Sequence, residues 1–271
     1  MRRVGLLQIQ IIVGIALALS VLMGLAWVAQ QRTGNSGWVD TFWAYSVGLV
    51  GAVAALWPHG DGLPARQVLV AGLVLLWSAR LGTHIARRAA SGIDDPRYAN
   101  YAREWGRRAP FRMFTFLQAQ AWVSVPLPFA VFLAAHAPRP ALGVQDFAGA
   151  AIILTAIVGE AIADEQLRRF KHHPSNAALV CDAGVWRWSR HPNYFFEWLG
   201  WLAYPIIAFS SDYAWGWASL VAPALMYWIL VHATGIPPLE EQMLRSRGHR
   251  YRDYQTRTSA FFPRPPKRPP E

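Results

Sequence analysis

The chain has 271 residues, of which 54% are hydrophobic and 15% charged, with 14 Trp and a formal net charge of +10. So apolar and aromatic a composition does not suit a soluble domain and reads as membrane-embedded. The basic excess lies between apolar runs, as the positive-inside rule arranges it, which removes nucleic acid as its explanation. The single cysteine, Cys181, excludes an internal disulfide and any Cys-x-x-Cys motif.

Residues 5–28 carry no charge and are too long for the apolar region of a cleaved signal peptide, so they are expected to form a retained first span. Residues 38–57 predict a second span with Asp40 near its start, and 67–86 a third that holds Arg80 and His84 four positions apart. A fourth covers 113–135, with Pro126 and Pro128 as kink sites that a membrane helix tolerates. The fifth covers 147–163 and ends near Glu160 and Asp164. The sixth is expected over 193–209, and the seventh over 213–233.

Of the Lys and Arg residues outside the spans, 21 fall on one side and 4 on the other. The sequence therefore predicts an all-α integral membrane protein: a bundle of seven transmembrane helices, N-terminus outside and C-terminus cytoplasmic. Residues 234–271 are expected to form a cytoplasmic cap with a Pro-rich tail. This orientation puts Asp40, Arg80, His84, Glu160, Asp164, Asn193, Glu197 and His232 at one depth. Ionisable groups inside spans are costly and face a partner or a wet cavity, so a polar pocket open to the cytoplasm is expected, with interfacial snorkelling as the alternative.

The stretch from Asp182 to Glu197 carries the densest chemistry. Pro192 suits the first turn of a helix, and the N–H groups of that helix, with Arg187, Arg190 and His191 before it, favour an anion. Asn193 and Glu197 share a helical face, as do Glu160, Asp164 and Arg168. Arg168, Arg169, Lys171, Arg187 and Arg190 together supply donors enough for a phosphorylated cofactor, although Glu160, Asp164 and Arg168 also suit a plain salt ladder. His172 and His173 lack further ligands at metal spacing, so no metal is expected. The basic, aromatic run from Arg97 to Arg112, with Tyr98 and Trp105, reads either as a loop lying on anionic lipid or as a lid.

Residues 184–197, Gly-Val-Trp-Arg-Trp-Ser-Arg-His-Pro-Asn-Tyr-Phe-Phe-Glu, resemble the signature of a bacterial integral-membrane family related to the steroid 5-alpha-reductases. The wider superfamily also holds sterol reductases and isoprenylcysteine carboxyl methyltransferases. Asp164-Glu-Gln-Leu-Arg168 is similar to the Asp-x-x-Leu-Arg of the steroid reductases, and Asn193 to Glu197 to their Asn-x-x-x-Glu. Glu240, Glu241, Leu244, Gly248, Tyr251 and Tyr254, followed by Phe262-Pro263, resemble the superfamily's C-terminal pattern. The resemblance implies NADPH held by Glu160, Asp164, Arg168, Lys171, Trp186, Arg187, Arg190, His191, Asn193, Tyr194, Glu241, Tyr251 and Tyr254. It covers the second half of the chain; the Gln-Glu pair with which the steroid reductases hold the substrate ketone has no counterpart in the first half.

Reduction of an enone needs a donor for the charge that develops on the carbonyl oxygen. Asp40 and Arg80 are the positional candidates for that role, with Glu197 beside them as a catalytic residue. The expected function is an NADPH-dependent reductase of the bacterial inner membrane, acting on an apolar substrate that enters from the bilayer. Arg-His-Pro-x-Tyr is shared with the methyltransferases, so an S-adenosylmethionine-dependent lipid methyltransferase stands beside it. A non-catalytic protein whose polar groups only pair helices is the third reading.

Overall fold

Long apolar runs with widely spaced prolines fold into helices, and the computed structural model, which describes residues 2–58, 62–92 and 96–267, contains no strand among them. The α-helices are α1 (Arg2–Thr33), α2 (Gly37–Ala55), α3 (Pro64–Ala90), α4 (Pro96–Trp105), α5 (Ala109–Ser124) and α6 (Pro126–Ala135). They continue with α7 (Val144–His172), α8 (Pro192–Trp201), α9 (Ala203–Ala208), α10 (Val221–Trp228), α11 (Ile236–Arg247) and α12 (His249–Arg257). Among the described residues six helical stretches are long and apolar enough to cross a membrane: Gly5–Thr33, Gly37–Ala55, Pro64–Ala90, Arg103–Ala135, Val144–His172 and Ala214–Arg247. The chain is thus a multi-pass helical membrane protein.

Two breaks have the same cause. Pro126 has no N–H and its ring collides with the carbonyl of Trp122, so α5 stops at Ser124 and α6 restarts at Pro126. Pro205 stands in the same relation to Trp201, and the expected sixth span is divided into α8 and α9 about Leu202. Neither piece alone reaches across a bilayer. A five-residue π-helical turn, Ile229–Ala233, joins α10 towards α11.

The chain divides into two compact units. The first comprises residues 1–147 and 204–219. Within it α2 and α3 lie so close that a Cβ at Gly48 would sit 2.1 Å from the Cβ of Ser78, a backbone approach that only glycine permits. Ser78 donates to the carbonyl of Ala44 at 2.9 Å, and the Trp43 indole donates to Ser124 at 2.8 Å. Both polar groups are thereby satisfied inside an apolar bundle.

The polar anchor of this unit is Arg66, in the first turn of α3 and fully buried. Its Nε and Nη2 donate to the Asp146 carboxylate at 2.7 and 3.2 Å. Nη1 donates to the carbonyls of Ala137 and Arg139 at 2.8 and 2.9 Å, and Nη2 also to that of Ala141 at 2.6 Å. All five guanidinium N–H donors are therefore used. Asp146 also accepts from Arg139 Nη2 at 3.0 Å and from the Gly143 amide at 2.8 Å. Arg66 and Arg139, two of the four basic residues on the sparsely charged side, thus share one buried carboxylate and fasten the α6–α7 connection to α3.

The second unit comprises residues 148–203 and 220–271. Its helices gather round an aromatic cluster in which Phe195 and Trp198 of α8 and Tyr227 of α10 meet Phe261 and Phe262, with ring centroids 5.5 to 6.2 Å apart. The rings pack mostly edge to face, the favourable arrangement for their quadrupoles.

Asp146→Ala strands a buried guanidinium and is expected to lower stability by about 3–5 kcal/mol. Arg66→Lys keeps the charge but offers three donors to five acceptor positions, so it is expected to destabilise as well. Thermal unfolding of the detergent-solubilised protein checks both, with the exposed Arg245→Gln as a reference that stays within about 0.5 kcal/mol. An Asp146→Ala protein that melts with the reference would remove the anchor.

Candidate functional site

The second unit builds its site around the 184–191 segment. Gly184 has φ +60°, and a Cβ there would lie 2.3 Å from Oε1 of Gln166, so glycine alone lets the chain turn past that side chain. The same Gln166 oxygen accepts the Val185 amide at 3.0 Å. One 3-10 turn, Gly184–Arg187, then brings Trp186 inward, where its indole donates to the carbonyl of Ala163 on α7 at 2.9 Å. An irregular, partly buried segment must find partners for its backbone, and the C-terminal residues supply them. The Arg190 amide donates to the carbonyl of Ser259 at 2.8 Å, and the Arg264 amide to that of Trp188 at 2.9 Å. Ser189 donates to the carbonyl of Phe261 at 2.8 Å, and the Tyr254 hydroxyl donates to that of Trp186.

Glu240 on α11 is the hub. Its Oε1 accepts from Arg190 Nε at 2.7 Å and lies 3.1 Å from His191 Nε2; its Oε2 accepts from Gln255 at 2.7 Å. Arg190 spends its Nη1 donors on the carbonyls of Gln255 and Thr258. The Arg190 and Glu240 side chains are only 10% and 15% exposed, so this pair has little solvent screening. Burial holds the His191 imidazole below its ordinary pKa against the pull of Glu240, whose charge Arg190 already offsets. The neutral ring then donates through Nε2 to Glu240, and it stacks on Tyr194 at 5.7 Å. Burial likewise raises the Tyr251 and Tyr254 hydroxyls, which act as donors at neutral pH, and raises the Cys181 thiol.

The structure sorts the sequence-predicted residues into groups. Trp186, Arg190, His191, Tyr251 and Tyr254 belong to the buried network. Asn193 Nδ2 lies 3.5 Å from Oδ1 of Asp164, so α8 and α7 bring together two motif residues 29 positions apart. Glu197 is buried and accepts the indole N–H of Trp201 at 2.9 Å, one turn on in the same helix. Glu160 is also buried. Arg168 pairs with Glu165 at 2.7 Å, as does Arg169 at 2.6 Å, and all three side chains stay largely exposed. Lys171 and Arg187 are exposed. Glu241 is exposed and pairs with Arg245, so Glu240 and not its neighbour turns inward. Among the described residues no three His, Cys, Asp or Glu side chains gather where an ion could sit.

In the first unit Asp40 accepts the Tyr98 hydroxyl at 2.8 Å, and Arg80 is half-buried on α3. Tyr98 was not legible as a functional partner, because it stands 58 positions away in what reads as a surface loop. Glu240 carried a signal only as one of two adjacent acids.

Apolar helices long enough to cross a membrane, with buried, mutually bonded polar groups among them, define the class: a multi-pass helical membrane protein. The family model described as "Protein of unknown function (DUF1295)" matches residues 26–258, and the chain belongs to that family. It is similar to "Uncharacterized protein C594.04c" of Schizosaccharomyces pombe, with 25% identity over 280 residues that cover 92% of this chain and 79% of that protein. No solved structure matches.

Two outcomes are expected of the network. Glu240→Gln leaves Arg190 without its countercharge in a desolvated place and should cost about 3 kcal/mol of stability; Glu241→Gln on the exposed side should cost less than about 0.5 kcal/mol. Melting curves of the two variants decide it, and equal melting temperatures would remove Glu240 from its central place. His191 titrates lower in the folded protein than its unfolded value of about 6.5, so the unfolded chain binds the extra proton first. Stability is then level above that pH and falls as the solution is acidified below it. In His191→Gln, which keeps a donor towards Glu240 and does not titrate, the acid-side loss of Tm should shrink.

Proposed function

We propose that the protein is an NADPH-dependent membrane reductase of the steroid 5-alpha-reductase type, acting on a carbon–carbon double bond conjugated to a ketone in an apolar substrate. The observation that carries the reading is the approach of Asn193 to Asp164, beside a rim of exposed Arg168, Arg169, Lys171 and Arg187. All of these but Arg169 are residues of the resemblance, and they lie outside the buried Glu240 network. Arg190 already spends three of its five donors, since its Nε and Nη1 hold Glu240 and two carbonyls. The four rim cations fit a 2′-phosphate, because their hold on Glu165, where they have one, is a solvent-exposed pair of small worth.

NADPH bound there would supply a hydride. The chain's own share is to grip phosphate through the rim, to orient the cofactor through Asn193, Asp164 and Glu197, and to exclude water by its apolar helices. In the first unit the reading gives Asp40 and Arg80 the substrate carbonyl, with the Tyr98 hydroxyl holding the Asp40 carboxylate in place. An apolar substrate would enter from the bilayer. The reading takes α8 and α9 together as one broken crossing, giving seven. The 21 to 4 division of basic residues supports an outside N-terminus, a cytoplasmic C-terminus and residence in a bacterial inner membrane.

NADPH is expected to raise the melting temperature of the solubilised protein more than NADH does. Lys171→Gln and Arg187→Gln should each weaken NADPH by about tenfold, the worth of one charge-assisted hydrogen bond, with apo melting unchanged because both side chains are exposed. Equal shifts for NADPH and NADH, or a shift with S-adenosylmethionine alone, would reject the reductase; the latter would favour the methyltransferase.

A further inference from the structure

The run from α4 into α5 forms a corner with two chemistries. Tyr98, Tyr101 and Trp105 recur on one face of α4 and close on Phe116 of α5, with ring centroids 5.3 to 6.5 Å apart across the group. This turns the opposite face outward. Arg103 and Glu104 are exposed there, as are Arg107 and Arg108 in the 3-10 turn Gly106–Arg108 and Arg112 in the first turn of α5. Four arginines thus face one acid, and among the described residues none of Arg107, Arg108 and Arg112 has a carboxylate partner. Arg103 donates to the side chain of Asn100.

The corner is fixed at a definite level of the bundle. The Trp27 indole of α1 donates to the carbonyl of Pro110 at 2.9 Å, and its ring meets Phe114 edge-on at 5.6 Å. Below this level α1 presents Val21 and Leu25 outward, 65% and 51% exposed, as a helix facing hydrocarbon does. At the level itself Phe111 is 70% exposed directly beside Arg112. Outward apolar residues, then outward aromatics, then arginines is the sequence of layers from acyl chains through the interface to phosphate.

We propose that the Arg103–Arg112 corner is a binding surface for anionic phospholipid, whose phosphates the four guanidinium groups grip from the leaflet where the corner lies. Charge complementarity selects this occupant: a net-negative headgroup balances the excess of arginine, whereas phosphatidylcholine brings its own ammonium. Guanidinium forks also match phosphate oxygens two at a time. The aromatic face is closed on α5, so what remains outward is Phe111 for the acyl boundary and the arginines for the headgroups. The inference is independent of the cofactor reading.

The test titrates phosphatidylglycerol, phosphatidylcholine and inorganic phosphate into the detergent-solubilised full chain, reading the melting temperature and, by native mass spectrometry, the retained lipid. Phosphatidylglycerol should stabilise and be retained, while the other two should not. In the variant carrying Arg103→Gln, Arg107→Gln, Arg108→Gln and Arg112→Gln, the half-saturating concentration should rise about fivefold for each Arg removed. Its melting temperature without lipid should be unchanged; if it falls, the double variant Arg107→Gln with Arg112→Gln replaces it. The control, Arg245→Gln with Arg252→Gln, should behave as the wild type. An unchanged midpoint in the corner variants, equal stabilisation by phosphatidylcholine, an equal loss in the control, or full stabilisation by inorganic phosphate would each overturn the proposal; the last would mark a phosphate site and not a lipid surface.

Discussion

A guanidinium taken out of water must find acceptors for its N–H donors, and each unit of this protein holds one buried arginine that is bonded to a carboxylate and to backbone carbonyls. Arg66 divides five donors between Asp146 and three carbonyls of the α6–α7 connection. Arg190 gives three of its donors, from Nε and Nη1, to Glu240 and the carbonyls that close α12. Each carbonyl so bonded belongs to backbone that no helix satisfies, where an unmet acceptor would be costly in an apolar setting. The ion pair therefore does less for stability through its Coulomb attraction than by making irregular connections possible between apolar helices.

This accounting changes how the 184–191 segment is read. In a sequence, Arg187, Arg190 and His191 before a helix N-terminus look like one anion site. In the structure they part company: Arg187 points to solvent, while Arg190 and His191 are committed to Glu240. Gly184 determines the division, because its left-handed turn past Gln166 sets the direction of the 3-10 turn that follows. The 184–191 segment is thus a scaffold of mutually bonded groups first, and an exposed basic rim second.

Much of the architecture was legible because hydropathy over a bilayer's width is a strong signal. The apolar stretches expected over 5–28, 38–57 and 67–86 lie within α1, within α2 apart from its last residues, and within α3. The helices run on past the apolar part, since Arg87 and Arg88, or Asp164 to His172, continue a helix as well as leucine does while lowering its hydropathy. The break at Pro205 was missed because proline in an apolar run is read as a kink, and whether it divides the helix depends on the packing of its neighbours. Side-chain partners were far less legible. Glu240 and Glu241 are the same residue type one position apart, and only the 100° turn between them decides which meets Arg190. The bonds from Tyr98 to Asp40 and from Trp27 to Pro110 span 58 and 83 positions, a separation no local pattern reports.

The contacts of the second unit also differ in strength. Arg190 and Gln255 meet Glu240 at 2.7 Å within a buried network, and exchanging such bonds for bonds to a ligand would expose charges that the fold has already compensated. Asn193 and Asp164 stand at 3.5 Å, the outer limit of a hydrogen bond, and both are half-buried. A contact so long gives up little when a better partner arrives, and groups that act on a ligand are commonly loose until it binds. Glu165 holds Arg168 and Arg169 by pairs that solvent already weakens. In the proposed reading, the face shared by the start of α8 and the charged end of α7 would therefore take the ligand, while the tighter bonds around Glu240 stay as they are.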